Sequence, residues 1–221
     1  KDQDKIKLVM PCQGDEYVVR EWLVYKLYNL VTPKSFRARL ASVTFNDTKT
    51  KKTTSPFYGI LIEEENQVAK RNHEVSVTRN LRPQETEPNA FLTMTVFEYM
   101  IANTDWSVQF QQNIKLLAAD STSIATTVPY DFDHAGIVDA PYAKPAEELE
   151  MNSIRERRYR GYCIQDMKKF DASIAFFNRL KDDIYKVYTG CPLIDARYVK
   201  ASLNFLDVFY ATRNTPAALT R

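Results

Sequence analysis

The sequence predicts a mixed α+β chain with a mainly β front and a mainly helical back. Three observations predict it. Segments with a period of two crowd the first third of the chain. A polar stretch at 73–88, holding Pro83 and Pro88, separates them from the remainder of the chain. From residue 163 onward, apolar residues recur every three or four positions. The chain therefore divides into a β-rich N-terminal part at 1–72, a linker at 73–88 and a helical C-terminal part at 89–221.

Residues 5–10 (Lys-Ile-Lys-Leu-Val-Met) read as a short strand, broken by Pro11 and Gly14. Asp15 or Glu16 opens a helix, with Val18, Trp22, Tyr25 and Leu27 near helical spacing, and Pro33 closes it. Residues 35–46 alternate: Phe36, Ala38 and Leu40 on one face, Arg37 and Arg39 on the other. A polar loop at 46–54 joins them to a returning strand at 57–63, and a short helix follows near 66–71. After the linker, residues 89–102 carry Phe91, Met94, Phe97 and Ile101 and are apolar on most sides, as in a buried helix. Strands are predicted at 113–118 and 124–130, across a turn at 120–123. Met167, Phe170, Ile174, Phe177, Leu180 and Ile184 predict one helix over 163–188, and a last helix covers 196–212.

With 221 residues, the chain suffices for one large domain or two small lobes around a cleft. Hydrophobic residues at 44% and charged residues at 26% are an ordinary globular balance, and 12% aromatics allow a sizeable core. A net charge of +2 gives no electrostatic case for nucleic acid as the main partner. Three cysteines, Cys12, Cys163 and Cys191, are an odd count, which argues against a complete disulfide framework, and they lack the CxxC spacing of a structural zinc site; buried free thiols are the simplest reading. No apolar run approaches the ~20 residues of a membrane span. The chain opens on Lys1 rather than Met and reads as a fragment, with room upstream for an export signal, an anchor or earlier strands.

The chemistry concentrates between Asn103 and Gly136. Asp105 follows the buried helix, Asn113 opens a strand, and Asp131 and Asp133 close its partner. A hairpin brings 113 and 131 together. Magnesium takes oxygen ligands, typically one or two protein groups plus phosphate and water, and Asn113 and Asp131 fit that supply. Asp105 is left to accept a hydroxyl proton. Asp133 is either a second metal ligand or a loop cap, and His134 reads as a hydrogen-bonded structural residue. Taken singly, each acid or amide is also ordinary turn chemistry. Residues 153–162 interleave Arg155, Arg157, Arg158 and Arg160 with aromatics. They read either as a binder of substrate phosphate or acid, or as a solvated helix start with local Glu–Arg pairs.

Read in order, Arg20-Glu21-Trp22-Leu23, Tyr58-Gly59-Ile60-Leu61-Ile62-Glu63, Thr104-Asp105-Trp106, Asn113 and Tyr130-Asp131-Phe132-Asp133 resemble the spore-coat protein H (CotH) kinase family, over roughly residues 5–136. The resemblance implies a two-lobed protein-kinase-like fold, with a small, mainly β N-terminal lobe and a larger, mainly α C-terminal lobe. It implies ATP and Mg²⁺ as cofactors, a protein Ser or Thr as acceptor, and a bacterial cell-envelope or secreted setting. Lys5 would contact the phosphates, with Lys7 as rival because alternate strand residues share a face. Glu21 would pair with that lysine, and Glu63 would sit where the lobes join and adenine binds; Glu64 and Glu65 are read as solvated. Tyr130 stands where the family has Trp, and no Gly-rich phosphate loop is present. The alternative is a pseudokinase-like nucleotide- or protein-binding module; a third reading is a divalent-metal hydrolase using Asp105 and Asp131.

Overall fold

The computed structural model describes residues 5–145, 147–162 and 167–212. It is a mixed α+β protein with two small antiparallel sheets.

In the first sheet, β1 (Lys7–Val9) and β2 (Ala38–Val43) flank β3 (Phe57–Ile62). The register sets Lys7 and Ala38 opposite Ile62, and Val9 and Leu40 opposite Ile60. Because side chains alternate, these residues share one face. That face meets α1 (Asp15–Val31), whose Leu23, Val24 and Leu27 are buried. Two polar ties fix the helix on the sheet. The Asp15 carboxylate accepts the Tyr58 N–H at 2.9 Å, and the Trp22 indole donates to the Ala38 carbonyl at 3.2 Å. Thr32 ends α1 in an extended conformation, the one favoured before proline.

A short helix α2 (Glu65–Arg71) follows, with Glu64 as its N-cap. The stretch read as a linker is not structureless. It contains β4 (Val75–Val77) and a 3-10 turn at Pro83–Glu85. β4 pairs with β5 (Ile114–Ala118), which pairs with β6 (Thr126–Pro129), giving the second sheet. Between β4 and β5 in sequence runs α3 (Pro88–Ile101), with Pro88 in its first turn, Glu87 capping it, and left-handed Ala102 ending it.

The single helix predicted over 163–188 is two, α4 (Met167–Arg179) and α5 (Lys181–Thr189), with Leu180 at the break; Cys163 lies outside the described residues. α6 (Ala196–Thr212) matches its predicted span. Buried side chains from α1, β3, α3 and the segment after β6 form one core with α4–α6. At its centre Phe132 packs edge-on to Tyr25 (5.0 Å between ring centroids) and to Phe97 (5.9 Å). A smaller core of Phe91, Met94, Trp106, Ile114 and Leu116 lies under the second sheet. The two described cysteines differ from the buried thiols expected: Cys12 is exposed and Cys191 half-buried. Among the described residues, no helix is long and apolar enough to cross a membrane.

Candidate functional site

The site forms at the open end of the β5–β6 hairpin. Ile114 and Pro129 are the last ladder pair, and one residue on the Tyr130 N–H donates to the Asn113 carbonyl at 3.0 Å. Asn113 and Asp131 therefore flank the same end of the hairpin. Both have left-handed backbones, φ 53° and 63°. Asn and Asp adopt this conformation more readily than other non-glycine residues, and hydrogen bonds hold it at both positions. The Asn113 amide donates to the Asp105 carbonyl (2.8 Å) and to its Oδ2 (3.0 Å), and the Asp131 N–H donates to the Tyr25 hydroxyl (2.9 Å).

Asp105 is held from several sides. Its N–H donates to Asn103 Oδ1 at 3.1 Å, and the Gln112 side-chain amide donates to its Oδ1. Buried Trp106 anchors the loop, and Arg160 donates to the carbonyls of Thr104 and Trp106. So Asp105 and Asn113 touch, and Asp131 follows Tyr130, the residue whose N–H bonds the Asn113 carbonyl across the hairpin end.

Asp133 is half-buried and hydrogen-bonds to Tyr142; burial first, then the Asp131 charge, holds it above the usual carboxylate range. Glu21 is 2% exposed and accepts the Phe132 N–H. Burial, then Asp131 and Asp133, push it up to about 8, with Lys7 opposing. Lys7, one of the two lysines weighed, is set against these carboxylates. Its Nζ lies 3.7 Å from Asp131 Oδ2 and over the Tyr130 ring. It pairs with Asp131 rather than Glu21, because Glu21 lies buried behind the Phe132 backbone while Lys7 stays at the exposed rim. Lys5 is exposed and precedes β1.

Other expectations are corrected. The Glu63 carboxylate is bound by Arg71 (3.0 Å) and by the Arg37 N–H (3.0 Å), and Arg71 also donates to the carbonyls of Pro33 and Ser35. It ties α2 to the start of β2, and it borders a cleft of about 530 Å³ lined also by Ile6, Arg37, Ala38, Arg39 and Leu61. Glu65 is paired with Lys115 at 2.8 Å rather than solvated. The arginine-rich segment is not a helix start, and Arg155, Arg157 and Arg160 are committed to backbone carbonyls while Arg158 stays exposed. Arg157 donates to the carbonyls of Met100 (3.2 Å) and Phe205 (2.6 Å), and Arg155 reaches Gly136 O and Asp139. These side chains latch the segment onto α3 and α6.

Sequence reasoning missed Tyr25, Gln112, Tyr142 and Glu98. Tyr25 and Asp131 are 106 residues apart, so only the folded chain pairs them. Glu98 did carry a signal, as a lone acid in an apolar helix. It is 1% exposed, and burial pushes it up to about 8 against the easing of the Asn103 amide and the Arg160 charge.

Among the described residues, no three His, Cys, Asp or Glu side chains converge as a ready metal cage. The donors present are Asn113 Oδ1, since its nitrogen is committed to Asp105, with the carboxylates of Asp131 and Asp133. That partial oxygen set suits magnesium, which completes its shell with phosphate and water. A dication would also relieve the crowding of Asp131, Asp133 and Glu21. No protein-family model, curated protein or solved structure matches this chain.

Proposed function

We propose that the chain is a magnesium-dependent phosphotransferase that moves the γ-phosphoryl of ATP to a hydroxyl, with Ser or Thr of a protein as acceptor. In this reading the fold is two-lobed and kinase-like, as the CotH resemblance implies. The strongest support is the contact of Asp105 with Asn113 at the hairpin end from which Asp131 follows, one residue past the Asn113–Tyr130 bond. Asn113 and Asp131, with Asp133 beside them, would hold Mg²⁺, which when bound neutralises and orients the phosphate oxygens. Asp105 accepts the acceptor's proton at Oδ1, where the hydroxyl takes the place of Gln112; the Asn113 bond to Oδ2 keeps the carboxylate aligned. Lys7, at the rim, turns from Asp131 to phosphate. Glu21, bound to the Phe132 N–H, and Tyr25, bound to the Asp131 N–H, set the backbone that carries Asp131.

Melting curves and phosphoryl-transfer assays test this together. ATP with Mg²⁺ at ~100-fold its dissociation constant should stabilise the wild type by about 2.7 kcal/mol. Asp131→Asn should lose most of that shift and all transfer, while Asp105→Asn should keep the shift and lose transfer. No shift in the wild type contradicts the proposal. A second reading is a nucleotide- or protein-binding module of the cell envelope, favoured by the pairing of Lys7 with Asp131 rather than Glu21. A wild-type shift without transfer to any protein assigns that reading.

A further inference from the structure

One face of the first sheet meets α1. On the opposite face β3 presents Phe57, Gly59 and Leu61, with Leu8 of β1 and Val43 of β2 beside them. Gly59 marks this side: a Cβ there would lie 2.9 Å from Leu8 Cδ1 and 3.3 Å from Val43 Cγ2. Ile6 and Met10 continue the alternation of β1, and Phe45 continues that of β2, its ring 5.6 Å from the Phe57 ring. Ile6, Leu8, Met10 and Phe45 are 36% to 55% exposed, four large apolar side chains on one surface. Scattered apolar residues are ordinary on a surface, but a group of them rimmed by charge marks an interaction site.

The rim is basic. Residues 37–57 hold five cations, Arg37, Arg39, Lys49, Lys51 and Lys52, against one carboxylate, Asp47, whereas the whole chain carries only +2. Asp47 is occupied within its own loop, accepting the N–H groups of Lys49 (2.8 Å) and Thr50 (3.1 Å). Among the described residues, no carboxylate pairs with any of the five cationic side chains. Arg37, Arg39, Ile6 and Leu61 line the cleft of about 530 Å³ beside Glu63, and that acid is already held by Arg71. Both guanidinium groups are left for an outside anion, and a guanidinium fork suits a phosphate. Clustered cations are drawn to anionic headgroups, and exposed aliphatic side chains enter the acyl boundary beneath them. A nucleic acid would use the cations but give Ile6, Leu8 and Met10 nothing to do, because bases stack on aromatic rings.

We propose that this sheet face docks on a bilayer surface carrying anionic lipids. Arg37 and Arg39 hold a lipid phosphate at the cleft, Lys49, Lys51 and Lys52 meet neighbouring headgroups, and Ile6, Leu8, Met10 and Phe45 enter the acyl boundary. The inference stands apart from the phosphotransfer reading and survives if that reading fails.

Flotation of the full chain with vesicles provides the test, using phosphatidylcholine alone and phosphatidylcholine with about one-third phosphatidylglycerol, at low and high salt. Binding to the mixed vesicles should be at least ~10-fold tighter than to phosphatidylcholine alone and should weaken as salt rises. Replacing three exposed loop cations together, Lys49→Gln, Lys51→Gln and Lys52→Gln, should weaken it at least ~10-fold with the melting temperature unchanged. Ile6→Ser combined with Phe45→Ser should weaken it as well while keeping its salt dependence; should that pair fail to fold, the lysine triple alone decides. The proposal is overturned by no binding to the mixed vesicles, by equal binding to both vesicle types, or by binding indifferent to the lysine triple. Tighter binding to polyglutamate or to a single-stranded oligonucleotide than to the mixed vesicles overturns it equally. So does self-association, read by sedimentation velocity, that the Ile6→Ser and Phe45→Ser pair abolishes, since a second copy then covers this face.

Discussion

Glu98 is a carboxyl that the fold keeps protonated far above its ordinary range. Its value moves from 4.5 to about 8 because α3 buries it among apolar side chains. Below pH 4.5 the group is neutral in both folded and unfolded chains. Between 4.5 and 8 the unfolded chain releases the proton and the folded one holds it. Stability is therefore complete below about pH 4.5 and lost as pH rises toward 8. Glu21 has the same sign, for the same first cause. Melting temperatures should fall by several degrees between pH 5 and pH 8.5, since each ~1 kcal/mol shifts a chain of this size by about 2–4 °C. Glu98→Gln should flatten that fall and raise the melting temperature at pH 8.5. A slope unchanged in Glu98→Gln would show that the group ionises freely in the folded state. Tyr25 works at the same scale: Tyr25→Phe strips the acceptor from a partly buried backbone N–H and should cost about 1–3 kcal/mol in denaturant titrations.

At the scale of elements, the arginine-rich segment joins α3 to α6, and Gly136 lets it approach. A Cβ on Gly136 would lie 2.5 Å from the Ile154 carbonyl oxygen and 2.9 Å from Ala102 Cβ. Gly136→Ala should destabilise by about 1–3 kcal/mol, as overpacking does. Arg157→Ala should cost about 1.5–3 kcal/mol through its two carbonyl bonds, whereas Arg158→Ala, at an exposed position, should stay within ~0.5 kcal/mol. Equal effects from the two arginines would refute the latch.

The elements most legible in the sequence were those whose period ran long. α1, α3 and α6 carried several turns of pattern, and β3 a full apolar run. β4 was hidden because three residues, Val75–Val77, give one alternation inside a polar stretch. The break at Leu180 was hidden because the apolar spacing continues through it. At the site, Asp105, Asn113 and Asp131 were legible because one hairpin joins them. The partners of Lys7, Glu63 and Arg157 were not, since each depends on which distant backbone or charge the tertiary fold brings near.

Over the whole molecule, one aromatic-rich core runs from α1 through Phe97 and Phe132 to α4–α6. The β-rich front therefore has no apolar interior separate from the helical back. Thermal unfolding should show one cooperative transition, with far-UV and near-UV signals coincident. Two resolved transitions would mean that the halves fold independently. The same core fixes the segment after β6: Phe132 is fully buried, and Asp131 and Asp133 on either side of it are partly exposed beside the Asn113 end of the hairpin. The most direct test of the proposed chemistry is Mn²⁺ substituted for Mg²⁺ in the presence of a non-hydrolysable ATP analogue, read by paramagnetic broadening of assigned amides. Broadening centred on Asn113, Tyr130, Asp131 and Asp133, extending to Asp105 and lost in Asp131→Asn, is the predicted result. Broadening centred elsewhere, or none at saturating nucleotide, would contradict a phosphate-handling site at this hairpin.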